Sequence, residues 1–72
     1  MAKLPVCSGA EAVRAFERLG YEQVNQRGSH VRLKAEGRTS LTVPLHRTLA
    51  KGTLRDLVGK SGFTVEEFKD AL

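Results

Sequence analysis

The sequence predicts a small α+β domain, a two-layer fold in which a three-stranded antiparallel meander packs on two helices, with a short helix at the C-terminus. Three observations predict it. A stretch with helical spacing of apolar residues comes first, three short extended segments separated by glycine-containing turns follow, and two helical stretches close the chain. A chain of 72 residues buries only about 60% of its unfolded surface. We therefore expect residues 1–72 to form one domain whose function lies on its surface or in a shallow cleft.

The first helix is predicted from about residue 9 to residue 19. Ser8 and Glu11 have the spacing of a capping box, in which the serine hydroxyl and the carboxylate each bind a free amide of the first turn. Apolar side chains then recur at helical spacing, at Val13, Phe16 and Leu19. Gly20 follows them and is predicted to end the helix.

Three strands are predicted, from Tyr21 to Arg27, from His30 to Lys34 and from Thr39 to Val43. Gly28-Ser29 separates the first two and is typical of a two-residue hairpin turn, because glycine adopts the positive φ that such turns need. This turn pairs Arg27 with His30, which becomes the first residue of its strand. Ala35 to Arg38 is predicted to form the second turn, and Pro44 ends the third strand.

The parity of the strand residues predicts one apolar and one polar face for the sheet. The second and third strands carry their large apolar residues at odd positions: Val31, Leu33, Leu41 and Val43. These share a face when an odd number of residues separates paired positions, as with a three-residue loop that has Gly37 in a bulge. The Arg27–His30 pairing also places Val24 opposite Leu33 on that apolar face. The other face then carries polar and charged side chains, at Gln23, Asn25, Arg27, His30, Arg32, Lys34, Ser40 and Thr42.

Two more helices are predicted after a connection from Leu45 to Gly52, which is anchored by Leu49. The longer one runs from Thr53 to Ser61. Its apolar inner face consists of Leu54, Leu57 and Val58. Thr64 and Glu67 form a second capping box before the short last helix. The first helix and the longer of these two are expected to cover the apolar face of the sheet.

The charge balance favours a polyanionic partner. Twelve Lys and Arg residues stand against eight Asp and Glu residues, which gives a formal net charge of +4 and a pI near 9.7. Seven of the basic residues are arginines, whose planar guanidinium group binds phosphate through paired hydrogen bonds and stacks on bases. The composition therefore favours nucleic acid as the partner.

The sequence argues against several other classes of protein. Its one cysteine, Cys7, permits neither an intramolecular disulfide nor a zinc site built on thiolates, and the acidic residues are scattered. No apolar run approaches the roughly 18 residues of a membrane span, and no secretory signal is recognisable. We expect a cytoplasmic protein that has no membrane partner and needs no metal or other cofactor.

His30 is the residue best suited to chemistry. Histidine can accept or donate a proton near neutral pH, and RNA carries its own nucleophile in the 2′-hydroxyl group. Arg27, Arg32 and Lys34, on the same predicted face, are suited to stabilising the charge of a reacting phosphate. The residue pattern alone slightly favours the alternative, a histidine that only forms hydrogen bonds at a strand end.

Two further basic positions follow the sheet. His46 comes just after the third strand and is either a polar loop residue, a phosphate contact or a second proton-transfer group. Lys51 lies at the start of the longer C-terminal helix, where free amides and basic side chains have the pattern of a phosphate site. That pattern is common and indicates little by itself.

Five segments carry a resemblance to a known family. They are Leu19-Gly20-Tyr21, Gln26-Arg27-Gly28-Ser29-His30, Thr42-Val43-Pro44-Leu45-His46, Lys51-Gly52-Thr53-Leu54-Arg55 and Gly62-Phe63-Thr64-Val65-Glu66-Glu67-Phe68. In order and spacing they resemble the HicA-type mRNA interferase toxins, the YcfA-like family, of bacterial toxin–antitoxin systems. The Gly-Ser-His segment together with the later Pro-x-His and Gly-Thr-Leu segments makes the resemblance specific.

The resemblance implies a double-stranded-RNA-binding-like fold and a ribonuclease that cleaves mRNA without a cofactor, as the toxin of a type II system. It also implies a HicB-type antitoxin as the partner. The catalytic histidine of the family falls on His30. The residues expected to contact RNA are Arg27, Gly28, Ser29, Arg32, Lys34, His46 and Lys51.

Three hypotheses for the function remain at this point. The first is an endoribonuclease toxin, and the second is a non-catalytic RNA-binding module that uses the same face. The third is a small interaction protein whose basic face meets an acidic partner. His30 discriminates between the first two, because binding alone does not need a titratable group at that position.

Overall fold

The computed structural model describes residues 3–72 and contains one antiparallel sheet and three helices. In chain order the elements are α1 (Gly9–Arg18), β1 (Glu22–Arg27), β2 (His30–Lys34), β3 (Leu41–Pro44), α2 (Lys51–Ser61) and α3 (Val65–Ala71). The strands lie in the order β1-β2-β3, each antiparallel to its neighbour. The predicted α+β fold, a meander with two long helices and a short last one, is confirmed.

The start of α2 differs from its predicted position. The helix begins at Lys51, two residues before the predicted start at Thr53. Ala50 precedes it with extended backbone angles and makes no side-chain capping hydrogen bond. Because no Ser, Thr, Asp or Asn side chain caps this end, the usual sequence signal for a helix start is absent there. β1 begins one residue later than predicted, whereas β3 begins two residues later and includes Pro44.

The register of β2 and β3 confirms the parity argument. Val31 pairs with Val43 and Leu33 with Leu41, and all four side chains are buried. The residues between them in both strands are exposed, so one face of the sheet is core and the other is open. The loop between the strand ends is longer than three residues, with Gly37 at φ +75°.

The helices cover the buried face of the sheet and complete the core. α1 contributes Phe16, whose ring centroid lies 4.9 Å from that of Phe68 in α3 and 5.7 Å from that of Tyr21. From α2 come three buried apolar residues, Leu54, Leu57 and Val58. Leu49, the predicted anchor of the connection before α2, is buried as well.

One predicted core residue is exposed. Val24 was expected opposite Leu33 on the apolar face, but its exposed fraction is 49%. The register shifts between Gln23 and Asn25, so that Gln23 rather than Val24 pairs with Leu33. A β-bulge inserts one extra residue and reverses the parity of everything before it. The prediction for Val24 is therefore wrong, and Gln23 does not belong to the polar row where it was expected.

Backbone hydrogen bonds join the start of α1 to the end of β3. The amide of Gly9 donates to the carbonyl oxygen of His46 over 2.9 Å, and the amide of Leu45 donates to that of Ser29 over 2.6 Å. A Cβ atom at Gly9 would lie 2.0 Å from the carbonyl oxygen of Pro44, so only glycine permits this approach. The hairpin turn before His30, the end of β3 and α1 are thus held together.

Candidate nucleic-acid interface

His30 is held at the first position of β2 by the tight turn that precedes it. Gly28 has φ +59° and Ser29 has a negative φ, the pattern of a type II′ turn. The side-chain amide of Gln26 donates to the carbonyl oxygen of Gly28 over 3.1 Å. His30 pairs with Arg27 on one side, as predicted, and with Pro44 on the other. A central strand with neighbours on both sides gives this histidine a rigid backbone.

A shallow cleft of about 380 Å³ surrounds His30 on the open face of the sheet. Its lining consists of Asn25, Arg27, His30, Arg32 and Thr42. The pairing places them in two adjacent rows, one with Arg27 beside His30 and the other with Arg32 between Asn25 and Thr42. Side chains in directly paired positions lie about 4.5–5.5 Å apart at Cβ. The prediction that His30 and Arg32 lie on the open side is confirmed.

The cleft is positively charged. Two of its lining residues are arginines, and none of the described residues that line it is acidic. Both arginines occupy positions next to His30. Arg27 is its cross-strand partner in β1, and Arg32 lies two residues further along β2. Such a site attracts an anion with flat hydrogen-bonding edges, and phosphate is the usual one. The arrangement places the imidazole of His30 beside two guanidinium groups.

The bulge in β1 changes what lies beyond the cleft. Lys34 continues the polar row of β2, and it pairs with Glu22. The sequence had indicated Gln23 near this position, because an unbroken strand pairs that residue with Lys34. Lys34 thus has an acidic residue as its cross-strand neighbour, whereas the residues that line the cleft have none.

Residues 9–65 match the sequence model of a family described as "HicA toxin of bacterial toxin-antitoxin". The chain belongs to the HicA toxin family. A search among curated proteins found no match. Membership in the family makes this chain a toxin of a toxin–antitoxin system, with an antitoxin as partner. Within residues 3–72, no helix combines the length and apolarity needed to cross a membrane.

Of the remaining residues predicted for the site of this HicA toxin, three lie near the edge of the cleft and one lies in the helical layer. Gly28 and Ser29 form the turn at its edge, and His46 is exposed two residues beyond Pro44, the partner of His30. Lys51, in contrast, lines a separate groove in the helical layer. The structure therefore brings the residues of the hairpin together and does not bring Lys51 to them.

Two cleft residues were not among those predicted to bind RNA. Asn25 and Thr42 were placed on the polar face, but the sequence assigned them no role. Both are paired with Arg32, one from each side, and the register of the strands is the signal that identifies them. An amide and a hydroxyl at these positions can donate hydrogen bonds to a phosphate or a base.

Cys7 and Glu11 show shifted pKa values, but neither lines the cleft. Burial raises the pKa of the Cys7 thiol, and the nearby charge of Glu11 raises it further, so the environment disfavours the reactive thiolate form. Hydrogen bonds from the backbone amide and the hydroxyl of Ser8 lower the pKa of Glu11. Among residues 3–72, no three His, Cys, Asp or Glu side chains are close enough together to hold a metal ion.

Proposed function

We propose that this member of the HicA toxin family is an endoribonuclease that cleaves mRNA by metal-independent acid–base catalysis, with His30 as the proton-transfer group. The observation that supports it most is the position of His30, exposed between Arg27 and Arg32 in a cleft without acidic lining residues. A histidine that only held a strand end would not need two arginines beside it. Its backbone is fixed by two strand pairings, which favours accurate placement of the imidazole.

The reaction assigned to the cleft uses the nucleophile that RNA supplies. The imidazole of His30 accepts the proton of a 2′-hydroxyl group, and the 2′-oxygen forms a bond to the adjacent phosphorus. The bond from phosphorus to the 5′-oxygen breaks, and that oxygen takes a proton from the imidazolium or from water. The products are a 2′,3′-cyclic phosphate and a 5′-hydroxyl group. Arg27 and Arg32 stabilise the additional negative charge on the phosphate oxygens during this step.

The other residues of the face bind and position the RNA. Asn25 and Thr42 supply hydrogen bonds on either side of Arg32, and Lys34 extends the phosphate path along β2. The remaining proposed RNA contacts are Gly28, Ser29 and His46. Lys51 lines a separate groove in the helical layer, and we assign it no RNA contact. His46 is assigned to binding because it does not line the cleft in which His30 lies.

We assign the protein to the cytoplasm, where mRNA is available, and take a HicB-type antitoxin to be its partner. A toxic activity on an exposed basic face has to be inhibited until it is needed, and an acidic surface on the antitoxin would inhibit it by covering that face. Charge complementarity of this kind accelerates association. Co-purification of the chain with an acidic protein that blocks RNA cleavage would support this assignment.

The test of the proposed activity separates catalysis from binding. Labelled mRNA is incubated with the native protein and with His30→Ala, and RNA affinity is measured alongside. Removal of one acid–base group costs about 10²–10⁴-fold in rate, so we expect the variant to lose cleavage while its affinity for RNA stays nearly unchanged. His46→Ala serves as the matched variant, and we expect it to raise KM while leaving kcat unchanged.

Two further readouts sharpen the result. Cleavage by the native protein should survive excess chelator, and its products should carry a cyclic phosphate. Cleavage by His30→Ala at the native rate would remove His30 from the mechanism, and loss of native activity in chelator would contradict the metal-independent mechanism. Tight RNA binding without any cleavage by the native protein would instead support the non-catalytic RNA-binding module.

A further inference from the structure

A second and larger depression lies in the helical layer. It encloses about 720 Å³ between the N-terminal segment, one side of α2 and the start of α3, and we call it the α2–α3 groove. It shares no lining residue with the His30 cleft. The helices cover one face of the sheet and the cleft opens on the other, so the two depressions belong to different layers of the domain.

Apolar side chains form much of the lining of the groove. Leu4, Phe63 and Val65 pack against the core yet remain partly exposed, and Val58 lies buried beneath them. The ring of Phe63 is held in place by Arg38, whose guanidinium carbon lies 3.8 Å from the ring centroid. A fixed aromatic ring among aliphatic side chains can bury apolar groups of a ligand.

The charged residues that line the groove are all cations. Lys51 and Arg55 are one helical turn apart on the same side of α2, and Lys3 comes from the N-terminal segment. None of the described residues that line the groove is acidic. Within residues 3–72 the one ion pair joins Lys60 to Asp56, so the three lining cations have no carboxylate partner in the chain. Each of them is exposed.

We propose that the α2–α3 groove docks an acidic peptide segment with apolar side chains, contributed by a protein partner. The apolar lining would bury the aliphatic side chains, and the three cations would pair with carboxylates on the same segment. RNA matches this lining less well, because its charged backbone has few apolar groups to bury and one face of the Phe63 ring is already covered by Arg38. This binding goes beyond ribonuclease activity and does not depend on it.

The test uses short fluorescent peptides as probes and fluorescence anisotropy as the readout. A peptide of Glu and Leu residues is compared with one of Glu and Ser, which keeps the charge and removes the apolar groups. Arg55→Glu reverses one lining cation, and Arg14→Glu makes the same charge change on the exposed side of α1 as the matched control. Circular dichroism of both variants establishes that each is folded.

We expect the Glu–Leu peptide to bind more tightly than the Glu–Ser peptide. Arg55→Glu should weaken its binding about tenfold or more, because like charges then meet at the contact. Arg14→Glu should change it less than about twofold, because Arg14 lies on α1 and does not line the groove. Val65→Ser makes the lining more polar without changing its charge. It should weaken binding of the Glu–Leu peptide and leave binding of the Glu–Ser peptide nearly unchanged.

Three results would overturn the inference. The first is that the Glu–Leu peptide does not bind. The second is that Arg55→Glu and Arg14→Glu lose equal amounts of affinity for the peptide, which indicates nonspecific electrostatic attraction. The third is an RNA oligonucleotide that loses affinity in Arg55→Glu while the peptide does not, which would make the groove an RNA site. His30→Ala should bind the peptide as the native protein does, so failure here is distinguishable from failure of the ribonuclease proposal.

Discussion

Tyr21 lies between α1 and β1 and is buried in the core. Only 4% of the residue is exposed, and its hydroxyl donates to the carbonyl oxygen of Thr39 over 2.8 Å. Burial raises the pKa of this phenol above its ordinary value of 10.0, and the charge of Arg38 partly offsets the effect. Tyr21 is therefore a core residue whose polar atom is satisfied within the fold.

Tyr21→Phe tests the hydrogen bond at this residue. The variant keeps the ring and leaves the Thr39 carbonyl without this donor, so we expect a loss of about 0.5–1.5 kcal/mol in the free energy of unfolding. A raised pKa in the folded protein stabilises the fold below about pH 10, and that contribution is lost as pH rises through the folded value. Urea unfolding at pH 7 and above pH 10 should therefore show a pH-dependent loss in the native protein that the variant lacks. An identical decline in both proteins would contradict this assignment.

At the scale of the element, α1 is fixed by its N-terminus. Ser8 and Glu11 form the predicted capping box, with both reciprocal hydrogen bonds present. The next residue after the cap, Gly9, touches the backbone of β3 and bonds to His46. The capping box was visible in the sequence because it is a local pattern. The contact with β3 was not, since it joins segments that are distant along the chain.

Gly9→Ala tests this contact. The added Cβ would lie 2.0 Å from the carbonyl oxygen of Pro44 and 2.8 Å from Cα of Leu45, both backbone atoms. We expect a loss of stability of about 1–3 kcal/mol or more, because α1 must move away from the sheet. Gly59→Ala is the matched control, since nothing lies within 4 Å of its Cβ. Alanine favours a helix interior by about 1 kcal/mol over glycine, so the control should gain stability. A denaturant midpoint that falls equally in both would contradict the prediction.

At the scale of the molecule, charge is distributed over two layers. The cleft on the sheet face is lined by arginines and a histidine, and the α2–α3 groove is lined by cations and apolar side chains. The first arrangement suits a polyanion and the second suits an acidic peptide. Because the two depressions share no residue, a partner in the groove would leave the His30 cleft open to RNA unless it also extended around the domain.

The salt dependence of RNA binding tests the role of the cleft in the whole charge distribution. Arg32→Ala should weaken binding to all RNA sequences and reduce the slope of log K against log salt by about 1, because one phosphate contact is lost. Arg14→Ala, which removes an equal charge from the surface of α1, should leave the slope nearly unchanged. Filter binding over a range of salt concentrations measures both slopes. Equal changes in the two would mean that net charge, and not the cleft, determines affinity.

The sequence predicted those features that depend on local pattern. Strand parity and the Gly28-Ser29 turn correctly placed His30 on the open face of the sheet. The bulge at Val24 was missed because a single inserted residue leaves no mark in an otherwise polar strand. The α2–α3 groove was missed for a different reason, since its lining comes from residues as far apart as Lys3 and Val65. Such a surface exists only after the helices have packed.

The junction that links α1, β3 and the hairpin turn has a consequence for how the protein can evolve. Apart from the need for glycine at position 9, its hydrogen bonds use backbone atoms alone, so replacing a neighbouring side chain does not remove them. His46, Arg47 and Thr48 follow this junction and are all exposed. These positions are free to vary while the edge of the cleft keeps its shape. If the proposed function holds, substitutions there would change contacts with RNA at the edge of the cleft long before they disturbed folding.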